Sequence, residues 1–341
     1  MSSTTTSIVL SLFHSVILSG LYVGSLYMWK GSLAKSRNDP SQIRKRTISA
    51  LASTVISIVY CWIVYLMSTS INHTITTTTT ISTTQNSNEF IGSESLGFSA
   101  MMGIDFYRIF SQLFGVIAAL FLNSCLFLGP IAEALNVESV TSVSEIIPFL
   151  QKSVQYLKRE FIELCHDLFE ILKQYPKFLM NEENVIKYER GGFDKSEEAI
   201  FSFRSIVIGP ITEEVVFRSC LYFILHYFGG FSMMTSFLVS AILFGVAHCH
   251  HIIEHVLHGD MELRAAILNV AVQLTYTFVF GLYCGYIYGK TKSIIAAIVL
   301  HAYCNLMGLP SFNMSRPVLA CAYITGLVLF WVLLFPVLSV F

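Results

Sequence analysis

Long apolar runs alternate with short polar stretches along most of this chain. A helix needs about 20 mostly apolar residues to cross a bilayer. On that criterion spans are predicted near 7–28, 48–67, 109–130, 200–228, 231–249, 263–288, 293–309 and 318–340, eight in all. The later ones carry polar residues. The first run lacks a basic leader and a small-residue cleavage site, so it reads as a span rather than a removed signal peptide. The pattern changes at 141–198. There Ile146, Phe149, Leu150, Leu157, Phe161, Leu164, Leu168, Ile171 and Leu172 recur at helical spacing with charges between them. This predicts an amphipathic helix lying on the membrane or on the bundle. The expected fold is therefore an all-α, polytopic transmembrane bundle of about eight spans. Three regions follow: N-terminal spans over 1–140, the amphipathic segment over 141–198, and a transmembrane domain with the chemistry over 199–341. No internal repeat is visible.

Composition supports lipid as the solvent. Of 341 residues, 54% are hydrophobic and only 13% charged, about half the charged share of a soluble protein. Such a chain cannot cover itself with water-facing groups. With a net charge of −1, nothing suggests nucleic-acid binding. Local charge sets orientation. Lys30, Lys35, Arg37, Arg44, Lys45 and Arg46 face only Asp39 in the first loop, which places that loop in the cytoplasm and the N-terminus in the lumen. The Thr-rich stretch 68–105 is then lumenal and reads as disordered. It contains the sequon Asn72-His73-Thr74. The 141–198 segment is cytoplasmic. The eight cysteines lie mostly in apolar runs without a C-x-x-C pair, which fits core packing rather than disulfides or a zinc knuckle.

Ionisable residues within spans mark function by default. Three groups fall in the second half of the chain. The first is Glu213-Glu214 with Arg218, inside GPITEEVVFRSCLYFIL. Glu214 and Arg218 are four apart and share a helix face, so the arginine can hold that carboxylate. Glu213 projects about 100° away, as the 3.6-residue turn requires. Desolvation and its acidic neighbour would make it a better proton acceptor than an ordinary glutamate, which suits general-base work. A buried Glu–Arg bridge that merely fastens helices fits the same residues.

The second group is Phe244-x-x-x-His248, followed by Cys249, His250, His251, Glu254, His255 and His258. A neutral imidazole at His248 could share the proton of an attacking water. It could equally be a core histidine, and the later histidines fit a solvated interface. His251 and His255 have the helical spacing of metal ligands, with Glu254 beside them. No H-E-x-x-H stands here, so the spacing permits zinc without requiring it. The third group is His301-x-x-x-Asn305, on one helix face. Both can donate hydrogen bonds in a dry cavity, as an oxyanion hole requires. A helix-packing polar pair is the alternative.

The order E-E-x-x-x-R, F-x-x-x-H, H-x-x-x-N on successive spans resembles the CaaX protease and bacteriocin-processing superfamily of intramembrane proteases. PITEEVVFRS, FGVAHCHHIIE and HAYCNLMGLP are similar to the eukaryotic type II CaaX prenyl endopeptidases, over residues 195–315. The resemblance implies an enzyme of the endoplasmic reticulum membrane. It would remove the -aaX tripeptide from farnesylated or geranylgeranylated CaaX proteins, Ras-like small GTPases among them. By motif, Glu213 would activate water with His248 as partner, Glu214, Arg218 and Phe244 would support them, and His301 and Asn305 would stabilise the oxyanion. It implies no cofactor and no metal in the reaction. Glu213 would lie roughly 20 Å along its helix from Ile200, in a cavity open to the cytosol, with prenylated proteins and membrane lipid as partners. The chain's own C-terminus, VLSVF, is not a CaaX box. A non-catalytic membrane scaffold, a proton-relay transporter and a zinc-dependent membrane protease are the competing readings. A transporter would predict symmetry between halves.

Overall fold

A computed structural model describes residues 3–33, 35–79, 97–137, 200–257, 261–310, 312 and 316–341, with isolated positions between 148 and 179. The described elements are helical. In chain order they are α1 (Ser3–Ser25), α2 (Pro40–Thr79), α3 (Phe98–Met101), α4 (Ile109–Leu126), α5 (Leu128–Ala134), α6 (200–228), α7 (Met233–Ala247), α8 (His250–Leu257), α9 (Leu263–Thr291), α10 (Ile294–Met307) and α11 (Pro317–Leu338). Six helical stretches are long and apolar enough to cross a membrane: Thr5–Ser25, Pro40–Thr69, Phe106–Leu126, Met233–Leu257, Leu263–Thr291 and Pro317–Leu338. The expected helical bundle is therefore present. The other two expected spans take different forms. α10 is a shorter apolar helix, and α6 is a continuous helix interrupted by π turns at Arg204–Ile208, Val215–Cys220 and Phe223–Phe228.

The Thr-rich stretch departs from expectation at its start. α2 continues to Thr79 instead of ending near Ser68. β-branched threonines disfavour helix only slightly. Their hydroxyls can also fold back on the preceding turn, as Ser68 and Thr69 do by donating to the Tyr65 carbonyl. Residues 80–96, and most of the amphipathic segment 141–198, lie outside the described residues. Positions described in that segment, including Lys152, Tyr156, Arg159, Glu170 and Lys173, are helical.

The chain forms two compact units, one of 1–36, 49–112 and 212–297, the other of 37–48, 113–211 and 298–341. In the first unit the core is built on α6. Phe217, Cys220, Leu221, Phe223, Ile224 and Leu225 are buried with Leu18 and Tyr22 of α1, Cys61 and Val64 of α2, and Phe244 of α7. A helix apolar on every side must be enclosed, which explains why this stretch is central. In the second unit Ile43, Tyr175, Ile200 and Phe203 form a separate cluster. There the Asn123 amide donates to Cys304 Sγ at 3.5 Å, and the Tyr323 hydroxyl donates to Glu133 Oε2 at 3.2 Å.

α7 and α9 pack closely through a stripe of glycines, Gly281, Gly285 and Gly289. A Cβ on Gly281 would sit 3.0 Å from Ala241 Cβ and 3.2 Å from its Cα, and one on Gly285 would sit 3.0 Å from the Phe237 ring. Small residues spaced by four let helices approach where lipid supplies no hydrophobic drive. This G-x-x-x-G-x-x-x-G signal is legible in the sequence, although the acidic and histidine motifs alone do not disclose it. Gly281→Val should destabilise the protein by about 1–3 kcal/mol, because the obstructing atoms are on the backbone side of a helix and cannot rotate away. A clear drop in Tm of the detergent-solubilised protein is the expected reading. An unchanged Tm would show that the crossing is looser than these distances imply.

Candidate active site

The acidic motif lies just ahead of a π turn in α6. Glu214 is fully buried and Glu213 half-buried, so adjacent carboxylates have different surroundings. The expected pairing of Glu214 with Arg218 is present. Arg218 Nε lies 3.1 Å from Glu214 Oε2, with side-chain exposures of 1% and 0%. The contact is ionic rather than an aligned hydrogen bond. None of the guanidinium nitrogens has a hydrogen-bond partner among the described residues. Its charge is met instead by the carboxylate and by aromatic faces. The guanidinium carbon stands 4.2 Å from the Phe244 ring centroid and 5.7 Å from that of Phe280. Cys284 of α9 donates its thiol to Glu214 Oε2 at 3.2 Å. Glu214 is thus fixed from its own helix and from α9.

Tyr22 of α1 closes another side. Its hydroxyl and that of Thr212 are 2.9 Å apart, and it is within electrostatic reach of Glu213 and Glu214. Neither Tyr22 nor Cys284 announces itself in the sequence. Each belongs to an apolar run, and only tertiary packing brings it to the carboxylates.

Phe244 connects the acidic group to His248. Its ring packs edge-on against His248 at 4.9 Å and against Phe217 at 5.1 Å. His248 caps α7, and its Nδ1 lies 2.8 Å from the Phe244 carbonyl oxygen. A carbonyl only accepts, so Nδ1 donates to it, and in the neutral imidazole Nε2 is the basic nitrogen. That tautomer is the one able to take a proton from water. The F-x-x-x-H spacing therefore has a physical meaning. The phenylalanine supplies a carbonyl that sets the imidazole and a ring that covers the arginine.

α8 follows after one turn. His251 Nδ1 lies 3.1 Å from Glu254 Oε2, and the Tyr27 hydroxyl donates to Glu254 Oε1 at 2.6 Å. The expected His251–His255 ligand pair is not what converges. His250, His251 and Glu254 bring ligand atoms within 4.8 Å of one another, whereas His255 faces Asn269 at 3.4 Å. Consecutive residues on a helix end can meet when one ring folds back. The His250 ring lies 4.0 Å from that of His251. His258 is outside the described residues.

The third motif lies in the second unit. His301 is buried on α10. Asn305, one turn on, is exposed and donates its amide to the Ser205 carbonyl at 2.8 Å. None of the described cysteines forms a disulfide.

Comparison with known proteins gives a likeness for the segment that holds these motifs. Residues 195–307 match the model described as type II CAAX prenyl endopeptidase Rce1-like. That segment holds the glutamate pair, His248, His301 and Asn305. That segment, about a third of the chain, is similar to the Rce1-like family. Among curated proteins, it is 33% identical over 160 residues to "Probable CAAX prenyl protease 2" of Schizosaccharomyces pombe, covering 47% of this chain and 55% of that one. It is 36% identical over 136 residues to "CAAX prenyl protease 2" of Arabidopsis thaliana, covering 39% of this chain and 43% of that one. Those alignments span about half of each relative's length. The likeness to "CAAX prenyl protease 2" of Homo sapiens is 27% over 332 residues, or 96% of this chain and 80% of that one. No solved structure matches.

Proposed function

We propose that this protein is an intramembrane endopeptidase that removes the -aaX tripeptide from farnesylated or geranylgeranylated CaaX proteins, Ras-like small GTPases among them, at the endoplasmic reticulum membrane. The observation that carries the reading is the division of labour between adjacent carboxylates. Glu214 is sealed by Arg218 and Cys284, while Glu213 keeps partial exposure on the same helix. A sealed carboxylate orients; a half-exposed one can meet water.

In this mechanism Glu213 accepts a proton from water as the oxygen attacks the scissile carbonyl carbon. His248, with its Nε2 lone pair, shares that proton and returns it to the departing amine. The carbonyl becomes an oxyanion in the tetrahedral intermediate. The resemblance gives the role of hydrogen-bond donors to this oxyanion to His301 and Asn305. Collapse breaks the C–N bond and leaves a prenyl-cysteine carboxylate and a free tripeptide. The names of the relatives support the substrate class, and the six apolar helices support a membrane setting.

The test is cleavage of a farnesylated CaaX peptide by purified protein, with the released tripeptide read by mass spectrometry. Wild type should release it from the prenylated peptide and not from the unprenylated one. His248→Ala should lower kcat by about 10²–10⁴-fold, the usual contribution of a positioned acid–base group. Wild-type inactivity on both farnesyl and geranylgeranyl peptides would overturn the proposal and favour a non-catalytic scaffold.

A further inference from the structure

The cluster on α8 has no part in the mechanism above. We propose that His250, His251 and Glu254 form a zinc site, supported by Tyr27, that pins α8 to the end of α1. The argument does not depend on the peptidase reading. It rests on donor chemistry, spacing and orientation of the ligands.

Two imidazoles and one carboxylate are the ligand set of a borderline metal; hard cations such as magnesium and calcium prefer oxygen alone. The ligand atoms of all three residues lie within 4.8 Å of one another. His251 Nδ1 and Glu254 Oε2, at 3.1 Å, are near the separation of roughly 3.3 Å that two ligands about 2.0–2.1 Å from a tetrahedral ion would have. His251 and Glu254 are buried at 8% and 5% exposure, which is unusual for a carboxylate on so short a helix.

The surroundings orient the ligands. His250 Nδ1 lies 2.5 Å from the Ala247 carbonyl oxygen, so it carries the proton and Nε2 is the basic nitrogen. An imidazole whose other nitrogen donates to a carbonyl is the usual second-shell arrangement of a metal-bound histidine. The Tyr27 hydroxyl does the same for Glu254 through Oε1, leaving Oε2 on the His251 side. The Tyr27 ring also packs edge-on against His250 at 5.5 Å. Three protein ligands leave a fourth tetrahedral position for water. Binding zinc would replace any proton held between His251 and Glu254, so affinity should fall as pH drops and histidine protonates.

The test uses the full-length protein in detergent, stripped with a chelator and reloaded with zinc alone. Stoichiometric uptake by elemental analysis and a higher Tm on reloading are expected. X-ray absorption of the reloaded wild type should show imidazole nitrogen and oxygen around zinc and no sulfur. Tyr27→Phe should weaken zinc about 10–100-fold, as loss of a second-shell partner does. Glu254→Gln and His250→Ala should lose stoichiometric uptake, and His255→Ala should keep it. Failure of wild type to take up zinc, a thiolate in its coordination shell, or equal uptake by Glu254→Gln would each overturn the proposal. Cleavage activity in the same preparation reports separately on Glu213.

Discussion

Glu213→Gln should abolish peptide cleavage while leaving a folded protein. The amide is nearly the shape of the carboxylate and sits in a half-buried position, so packing has little reason to change. What it loses is basicity. General-base catalysis contributes about 10²–10⁴-fold, and the loss should appear in kcat with KM little altered, since the step needing the base is chemical. Helical content, elution and Tm should stay close to wild type. The neighbouring variant gives the contrast. Glu214→Gln changes a group sealed by Arg218 and Cys284, so its damage should appear in Tm as well as in rate. A Glu213→Gln enzyme with kcat near that of wild type would remove the proposed water-activating base.

Arg218→Ala should be the most destabilising of the single changes considered. The guanidinium and the Glu214 carboxylate are almost wholly withdrawn from solvent, at 1% and 0% exposure. Removing one partner of such a pair leaves an uncompensated buried charge and costs about 3–5 kcal/mol. The deleted side chain also leaves space under Phe244, against which it stacks at 4.2 Å. Phe244 in turn sets the His248 ring, so activity should fall together with Tm. Arg218→Lys should rescue poorly, because a compact ammonium cannot lie flat on two rings. The double variant Glu214→Gln/Arg218→Met should recover part of the lost Tm, since neither buried charge then remains. Measurement is by thermal unfolding in detergent. If Arg218→Ala melted like wild type, the pair would be exposed to water or already neutral in the membrane.

Much of this was legible in the residues. Length and polarity of the apolar runs announce a helical membrane bundle, because backbone groups in lipid must be satisfied within each segment. The four-residue spacing of Glu214 and Arg218 announces their pairing, because it is a local property of one helix. The same holds for Phe244 and His248, whose contact is again one turn long. Properties that depend on turn geometry or on distant segments were not legible. The π turns of α6 and the convergence of His250 rather than His255 on Glu254 are not written in the spacing of these residues.

The sequence by itself determined the solvent, the helical class and the residues able to carry chemistry, since these follow from side-chain polarity and a fixed helical period. Tertiary structure alone decided which carboxylate is sealed and which is reachable. That choice requires Tyr22 from the first helix, Cys284 from the ninth and Phe244 from the seventh to arrive around one turn of the sixth. Burial depends on the neighbours that other helices bring, and no spacing within a single helix encodes it.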